Sequence, residues 1–189
     1  MNRHPQAGST LIEVLVAVLL LSFGILALAA MLSFAVQMPK LADYRATAAK
    51  LAAGHVERMR ANPGGFTGGA TGGFDSGDYD TPSSYDGSFS DIALADCAYP
   101  KCTPASLAAM DNAFTQQAAR MALPAGGMLM QRDRTSGTAS ASIGNLWIIW
   151  QEPSTYAALN PSSSDNCPPE VTGTYTDPKP RCLYVRFKL

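Results

Sequence analysis

The chain has 189 residues, enough for one modest domain plus an extension, and its 47% hydrophobic content is ordinary for a globular protein. Lys+Arg number 14 against 15 Asp+Glu, a formal net charge of −1, which gives no electrostatic case for a nucleic-acid partner. The average hides an asymmetry: no charge occurs from Val14 to Val36, whereas residues 60–103 are crowded with Gly, Ser, Asp and Pro.

The leader MNRHPQ, with Arg3, is followed by Ala7, Gly8 and Ser9 and only then by the apolar run. An ordinary secretory signal has the reverse order, with its small-residue cleavage site after the apolar stretch. Cleavage at Gly8 would therefore leave the hydrophobic segment on the mature protein. A bilayer core about 30 Å thick is crossed by roughly 20 apolar residues in a helix, so Val14–Val36 suffices. Glu13 stands at the edge of this run. A carboxylate in hydrocarbon costs about 2.5 to 3.5 kcal/mol on insertion scales, so such a group either faces a partner or stays hydrated at the lipid interface.

The segment GSTLIEVLVAVLLLSFGILALAA resembles the class III signal of type IV prepilins and pseudopilins. The resemblance implies that an inner-membrane prepilin peptidase cuts after Gly8 and N-methylates the new first residue, Ser9, which stands where the family usually has Phe or Met. It makes Glu13 the fifth mature residue and assigns it a role in subunit assembly. There it pairs with the positive N-terminal amine of a neighbouring subunit, so that two charges leave water together and fix the axial register of adjacent helices.

Helical periodicity continues past the membrane run through Leu41, Tyr44, Ala48, Leu51, Ala52, Val56 and Met59, with Asp43, Arg45, Lys50, Glu57 and Arg58 largely between them. One helix is predicted from about Thr10 to Arg60, its second half lying on the globular domain. Pro39 is expected to kink it and the NPGG of residues 62–65 to end it. Gly24 is a tolerated helical glycine. His4 lies in the removable leader and His55 is expected on the helix surface or lining a groove. No motif supports a Ser/His/Asp site, and the reading is not that of an enzyme.

Residues 64–96 read as a flexible surface connection. Its glycines are not followed by the Lys-Ser/Thr pair of a phosphate loop. Asp75, Asp78, Asp80, Asp86 and Asp91 raise the question of calcium, but D-x-x-D-x-D lacks the Gly and terminal Glu of an EF-hand loop; no metal or other cofactor is expected. Thr103 and Pro104 read as the start of a second helix, which places Leu107, Met110, Phe114, Ala118 and Met121 on one face and stops at Pro124. GMLMQRD, TASASIGNLWIIWQE and CLYVRFKL read as three strands of an antiparallel sheet with one face buried against the long helix. In the last, Leu183, Val185, Phe187 and Leu189 share a side. Trp147 and Trp150 fall on opposite faces, one in the core and the other covered by a loop or helix.

Cys97, Cys102, Cys167 and Cys182 all lie beyond the membrane run. In an exported region an even count reads as two disulfides. Three pairings are possible, and the favoured one joins near neighbours, Cys97 to Cys102 and Cys167 to Cys182. The C-x4-C and C-x14-C spacings fit no common zinc pattern. A bridge from Cys167 to Cys182 closes a loop worth about 3 kcal/mol in the chain-entropy model, and it resembles the disulfide-bounded C-terminal loop of pilins.

Within the superfamily the chain resembles the PilV group of minor pilins, the type IV pilus modification proteins, through its N-terminal signal, ERMRANP, LPAGG, WIIWQE and RCLYVRFKL. This implies an α+β, type IV pilin-like fold: a long N-terminal helix, membrane anchor plus stalk, packed on a small antiparallel sheet with a second helix. It implies a leader at 1–8, a membrane and filament-core half at 9–38, an amphipathic half at 39–61, a Gly/Asp-rich loop region at 62–102 and a globular region at 103–189. The expected role is a low-abundance subunit that initiates and caps the pilus and helps present a tip adhesin. Its expected partners are other minor and major pilins, the prepilin peptidase, the inner-membrane assembly machinery and, before assembly, membrane lipid. The domain is expected in the periplasm and then on the extracellular pilus. A pseudopilin of a type II secretion system, and an anchored domain that never polymerises, are the other readings.

Overall fold

The computed structural model describes residues 10–64, 72–81, 85–94, 96–98, 102–152, 165–173 and 179–189. In chain order the elements are α1 (Leu11–Ala61), α2 (Pro104–Ala122), β1 (Gly127–Arg132), β2 (Ile143–Gln151), a short α3 (Pro169–Thr172) and β3 (Pro180–Lys188). The chain forms two compact units, residues 1–42 and 43–189. α1 contributes to both.

α1 is one element of 51 residues with Pro39 inside it. Its first turn closes on the Thr10 carbonyl, which accepts from the N–H of Glu13 (2.9 Å) and of Val14 (3.3 Å). Arg58 and Arg60 stand in its last turn, where the exposed carbonyl ends favour positive charge. The helix stops at Asn62 and Pro63, and Gly64 takes a φ of 82° that a side chain would resist.

In the second unit the three strands form an antiparallel sheet in the order β1-β2-β3. Met128 pairs with Ile148 across β1 and β2, and Leu146 with Val185 across β2 and β3. One face, carrying Met128, Met130, Leu146, Ile148, Trp150 and Phe187, packs with Ala48, Ala52, Val56 and Met59 from the C-terminal part of α1. Within the sheet Gly144 leaves room for Phe187, whose ring lies where its Cβ would be. The alternation read in the last strand places Leu183, Val185 and Leu189 beside this core.

The other face is covered as well, as expected for the second tryptophan. Leu129, Ile149 and Cys182 pack with Val171 of α3 and with Tyr85, and Trp147 and Cys167 lie against them. Of the two tryptophans, Trp150 is fully buried, and Trp147 sits under the segment around residue 166, donating its indole N–H to the Asn166 carbonyl at 2.8 Å.

The described part of 64–96 is not the surface connection that its composition suggests. Phe74 and Tyr79 are completely buried and Tyr85 nearly so. Composition mispredicts here because a few aromatics among many glycines suffice to anchor a segment whose backbone turns tightly around them. Its end also covers the outer edge of β1: Thr81 N–H donates to the Met130 carbonyl (2.8 Å), and the Asp80 carboxylate accepts from Arg132 N–H (2.8 Å). A covered strand edge cannot pair with another chain.

α2 starts as its sequence indicates, with Pro104 in its first turn and a capping box between Thr103 and Ser106. The buried face is a different one from the apolar stripe. Ala108, Asp111, Asn112, Thr115, Ala119 and Arg120 point inward, while Phe114 and Met121 are exposed.

Candidate assembly site

In the first unit, every large apolar side chain from Leu11 to Met38 is more than half exposed. At about 25 cal/mol per Å2, leaving this surface in water forgoes on the order of tens of kcal/mol, so the helix requires a lipid or protein environment. The segment is long and apolar enough to cross a membrane. Its backbone satisfies itself, and so do its polar side chains: Ser22 Oγ donates to the Val18 carbonyl (2.7 Å) and Gln37 Nε2 to Ser33 Oγ (3.0 Å). Glu13 lies in the first turn of α1, where the helix dipole favours a carboxylate. Beside it Val14, Ala17, Val18 and Leu21 line a shallow groove. Gly8 and Ser9 lie outside the described residues.

In the second unit, a buried polar belt joins the end of α1, the segment 72–81 and α2. Asn62 Nδ2 donates to Tyr79 Oη (3.2 Å) and to the Pro104 carbonyl (2.8 Å), and Tyr79 Oη donates to Asp111 Oδ2 (2.7 Å). Burial, and then the Asp111 hydrogen bond, push the Tyr79 phenol well above its ordinary pKa, so it stays a donor. His55 is completely buried, not on the helix surface or in a groove. Thr115 of α2 and the edge-on ring of Tyr79 lie against it.

Thr115 Oγ1 donates to the Asp111 carbonyl (3.0 Å), so the 2.8 Å contact with His55 is made by a protonated Nδ1. Nε2 is left bare and without a partner. Burial, with the nearby Arg58 charge, lowers the imidazole pKa to about 3. A neutral ring sealed from solvent has no access to a substrate.

A second cluster binds the C-terminal strand to the rest. The Arg181 guanidinium pairs with Asp165 and, at 3.7 Å, with Glu152, all three side chains being at most 5% exposed. Arg45 of α1 reaches Asp165 at 3.2 Å, Asp165 also accepts the Cys182 N–H, and Glu152 accepts the Trp150 indole N–H. Sequence reasoning missed this cluster. Its bonded pairs lie up to 120 positions apart, and no local pattern joins them.

The four cysteines are paired as Cys97–Cys102 and Cys167–Cys182, with Cα separations of 5.0 and 5.3 Å. Three of the five acidic residues considered for calcium are spent on the protein itself. Asp78 accepts the Gly73 N–H, Asp80 pairs with Arg132, and Asp86 pairs with Arg120. Among the described residues, no group of three or more His, Cys, Asp or Glu is placed to hold a metal ion.

Residues 3–29 match the family model described as the prokaryotic N-terminal methylation motif. No curated protein and no solved structure matches the chain. The motif supports a type IV pilin-like or pseudopilin-like protein, a structural subunit that assembles with other pilins after prepilin peptidase processing.

Proposed function

We propose that this chain is a minor pilin of the PilV group that enters a type IV pilus through the exposed apolar half of α1. The observation that carries the reading is the conjunction of the methylation motif over residues 3–29 with a helix whose large apolar side chains from Leu11 to Met38 are all exposed. In this reading the peptidase cuts after Gly8 on the cytoplasmic side and methylates Ser9. The domain stands in the periplasm, where an oxidising environment supports the two disulfides. Packing α1 among other pilin helices then exchanges lipid for protein. Glu13 supplies the one strongly directional contact, to the positive amine of an adjacent subunit, so that neither charge enters the filament core alone. The subunit acts with other minor pilins at initiation or at the tip, where it helps present an adhesin.

The experiment is an immunoblot of membranes and sheared pili from cells carrying single substitutions. Gly8→Val should leave the chain at its unprocessed mobility and absent from pili. Glu13→Ala should be processed and inserted normally while its yield in sheared pili falls about tenfold or more. Normal yield for Glu13→Ala would mean that the carboxylate serves only the helix terminus or the lipid interface. Processing without any appearance in pili, for the unaltered chain, would favour a type II secretion pseudopilin, which carries the same motif.

A further inference from the structure

The two cystines sit in different surroundings. Cys182 is 4% exposed and packs with Leu129, Ile149 and Val171, and Cys167 lies against the same cluster. A thiolate attacking Cys167 has to expel Cys182 as a charged sulfur among apolar side chains, surroundings that raise a thiol's pKa and make it a poor leaving group. Cys97 and Cys102 are both partly exposed, and neither is among the described core residues. Cys102 immediately precedes Thr103, the N-cap of α2, and the free N–H groups of a helix start favour a nearby negative charge. The Ser106 hydroxyl stands 4.0 Å from Cys102 Sγ and 3.7 Å from Cys97 Sγ, within reach of a sulfur that becomes charged.

The segment that this cystine holds has few other ties. It is anchored at its start, where Tyr85 packs in the smaller core cluster and Asp86 pairs with Arg120 at 2.7 Å. Beyond Asp86 the hydrogen bonds among the described residues are local: Ser88 N–H donates to Asp86, and Ser90 N–H to Ser88 Oγ. Phe89 is 71% exposed, and Leu94 stays 54% exposed even though it lines a cavity of about 340 Å3 with Met110 and Phe114 of α2. Among the described residues, the Cys97–Cys102 bond and the Ser106 contact are what fasten the far end of this segment to the start of α2.

We propose that Cys97–Cys102 is a thiol-exchange site, a clasp that a dithiol opens while the domain stays folded. A thiolate of the dithiol attacks Cys97 Sγ, forms a mixed disulfide there and releases Cys102 as the thiolate. The dithiol's second thiolate then attacks its own sulfur in the mixed disulfide, releasing Cys97 and leaving the dithiol oxidised to a disulfide. Two electrons pass from the dithiol to the cystine, and the dithiol's two protons end on the cysteine sulfurs. Opening frees Leu94 from the Met110 and Phe114 wall. Tyr85 and Asp86 keep their own contacts, so the core over Cys167–Cys182 stays closed.

The test incubates the oxidised full chain in detergent with dithiothreitol, quenches samples with iodoacetamide and maps the alkylated cysteines by mass spectrometry. Cys97 and Cys102 should be labelled about tenfold or more faster than Cys167 and Cys182. Equal rates, or earlier labelling of Cys167 and Cys182, would overturn the exchange site. Glutathione, a monothiol, traps the first step: the expected adduct is on Cys97, and one mainly on Cys102 would overturn the direction of attack. For the clasp, chymotrypsin should cut after Phe89 or Leu94 about fivefold or more faster in Cys97→Ser/Cys102→Ser than in the oxidised parent, with a cooperative urea transition retained. Unchanged cutting would overturn the release of the segment. Loss of the cooperative transition would overturn the proposal as well, because the bond would then be holding the core; the same two measurements on the parent chain, selectively reduced and alkylated, check that result without a substitution.

Discussion

His55 shows how one side chain couples the fold to pH. Its folded pKa of about 3 lies below the ordinary imidazole value of 6.5, so between these two values the unfolded chain binds a proton that the folded chain refuses. The stability it permits is complete above about pH 6.5 and is lost as the pH falls toward 3, at up to about 1.4 kcal/mol per pH unit. In detergent-solubilised full chain, lowering the pH from 7 to 5 should remove about 2 kcal/mol of unfolding free energy through this group. Other acidic groups add their own dependence, so the informative quantity is the difference from His55→Gln. That variant keeps a donor for Thr115 but cannot take the proton. Equal pH slopes for the two proteins, measured by urea unfolding, would show that His55 is not the group responsible.

At the scale of elements, the cluster of Arg181, Asp165, Glu152 and Arg45 ties β3, the chain before Cys167 and α1 together. A buried ion pair adds little over a well-packed apolar contact, yet removing one partner leaves an uncompensated charge at a cost of about 3 to 5 kcal/mol. Asp165→Ala should therefore lower stability by about that amount, since it strips Arg181 of its closest counter-ion and Cys182 N–H of its acceptor. The measurement is chemical denaturation at neutral pH, and a loss below about 1 kcal/mol would mean that Glu152 carries the pair alone. The belt of Asn62, Tyr79, Asp111 and Thr115 plays the corresponding part for α2. It explains how a helix can bury Asp111 and Asn112 while Phe114 and Met121 stay exposed: the Asp111 carboxylate accepts from Tyr79 Oη at 2.7 Å, and the Asn112 amide donates to the Asp78 carbonyl at 3.4 Å.

For the whole molecule, the two units obey different solvents. Residues 11–38 bury none of their large apolar side chains, whereas the unit 43–189 holds a continuous core between α1 and the sheet and a smaller one beneath α3. The full chain is expected to remain in the membrane pellet after alkaline carbonate extraction. A fragment starting at Asp43 should be released as a soluble protein that unfolds cooperatively and carries both disulfides. Aggregation of that fragment, or four free thiols in its non-reduced mass spectrum, would contradict the core and cystine arrangement described above.

The sequence by itself determined the long helix, the second helix, the three strands and their antiparallel arrangement. Each depends on local signals: an uncharged run, a capping Thr-Pro, alternation in the last strand. The methylation motif over residues 3–29 was legible for the same reason, since it is a run of contiguous residues. Only the tertiary structure decided that Phe74 and Tyr79 are core, that His55 is sealed, which segments cover the second sheet face, and that α2 leaves Phe114 and Met121 exposed. The helix periodicity of α2 offers two adjacent faces about 100° apart. Which of them is buried depends on hydrogen-bond partners contributed by segments tens of residues away, and that information exists only once the chain has folded.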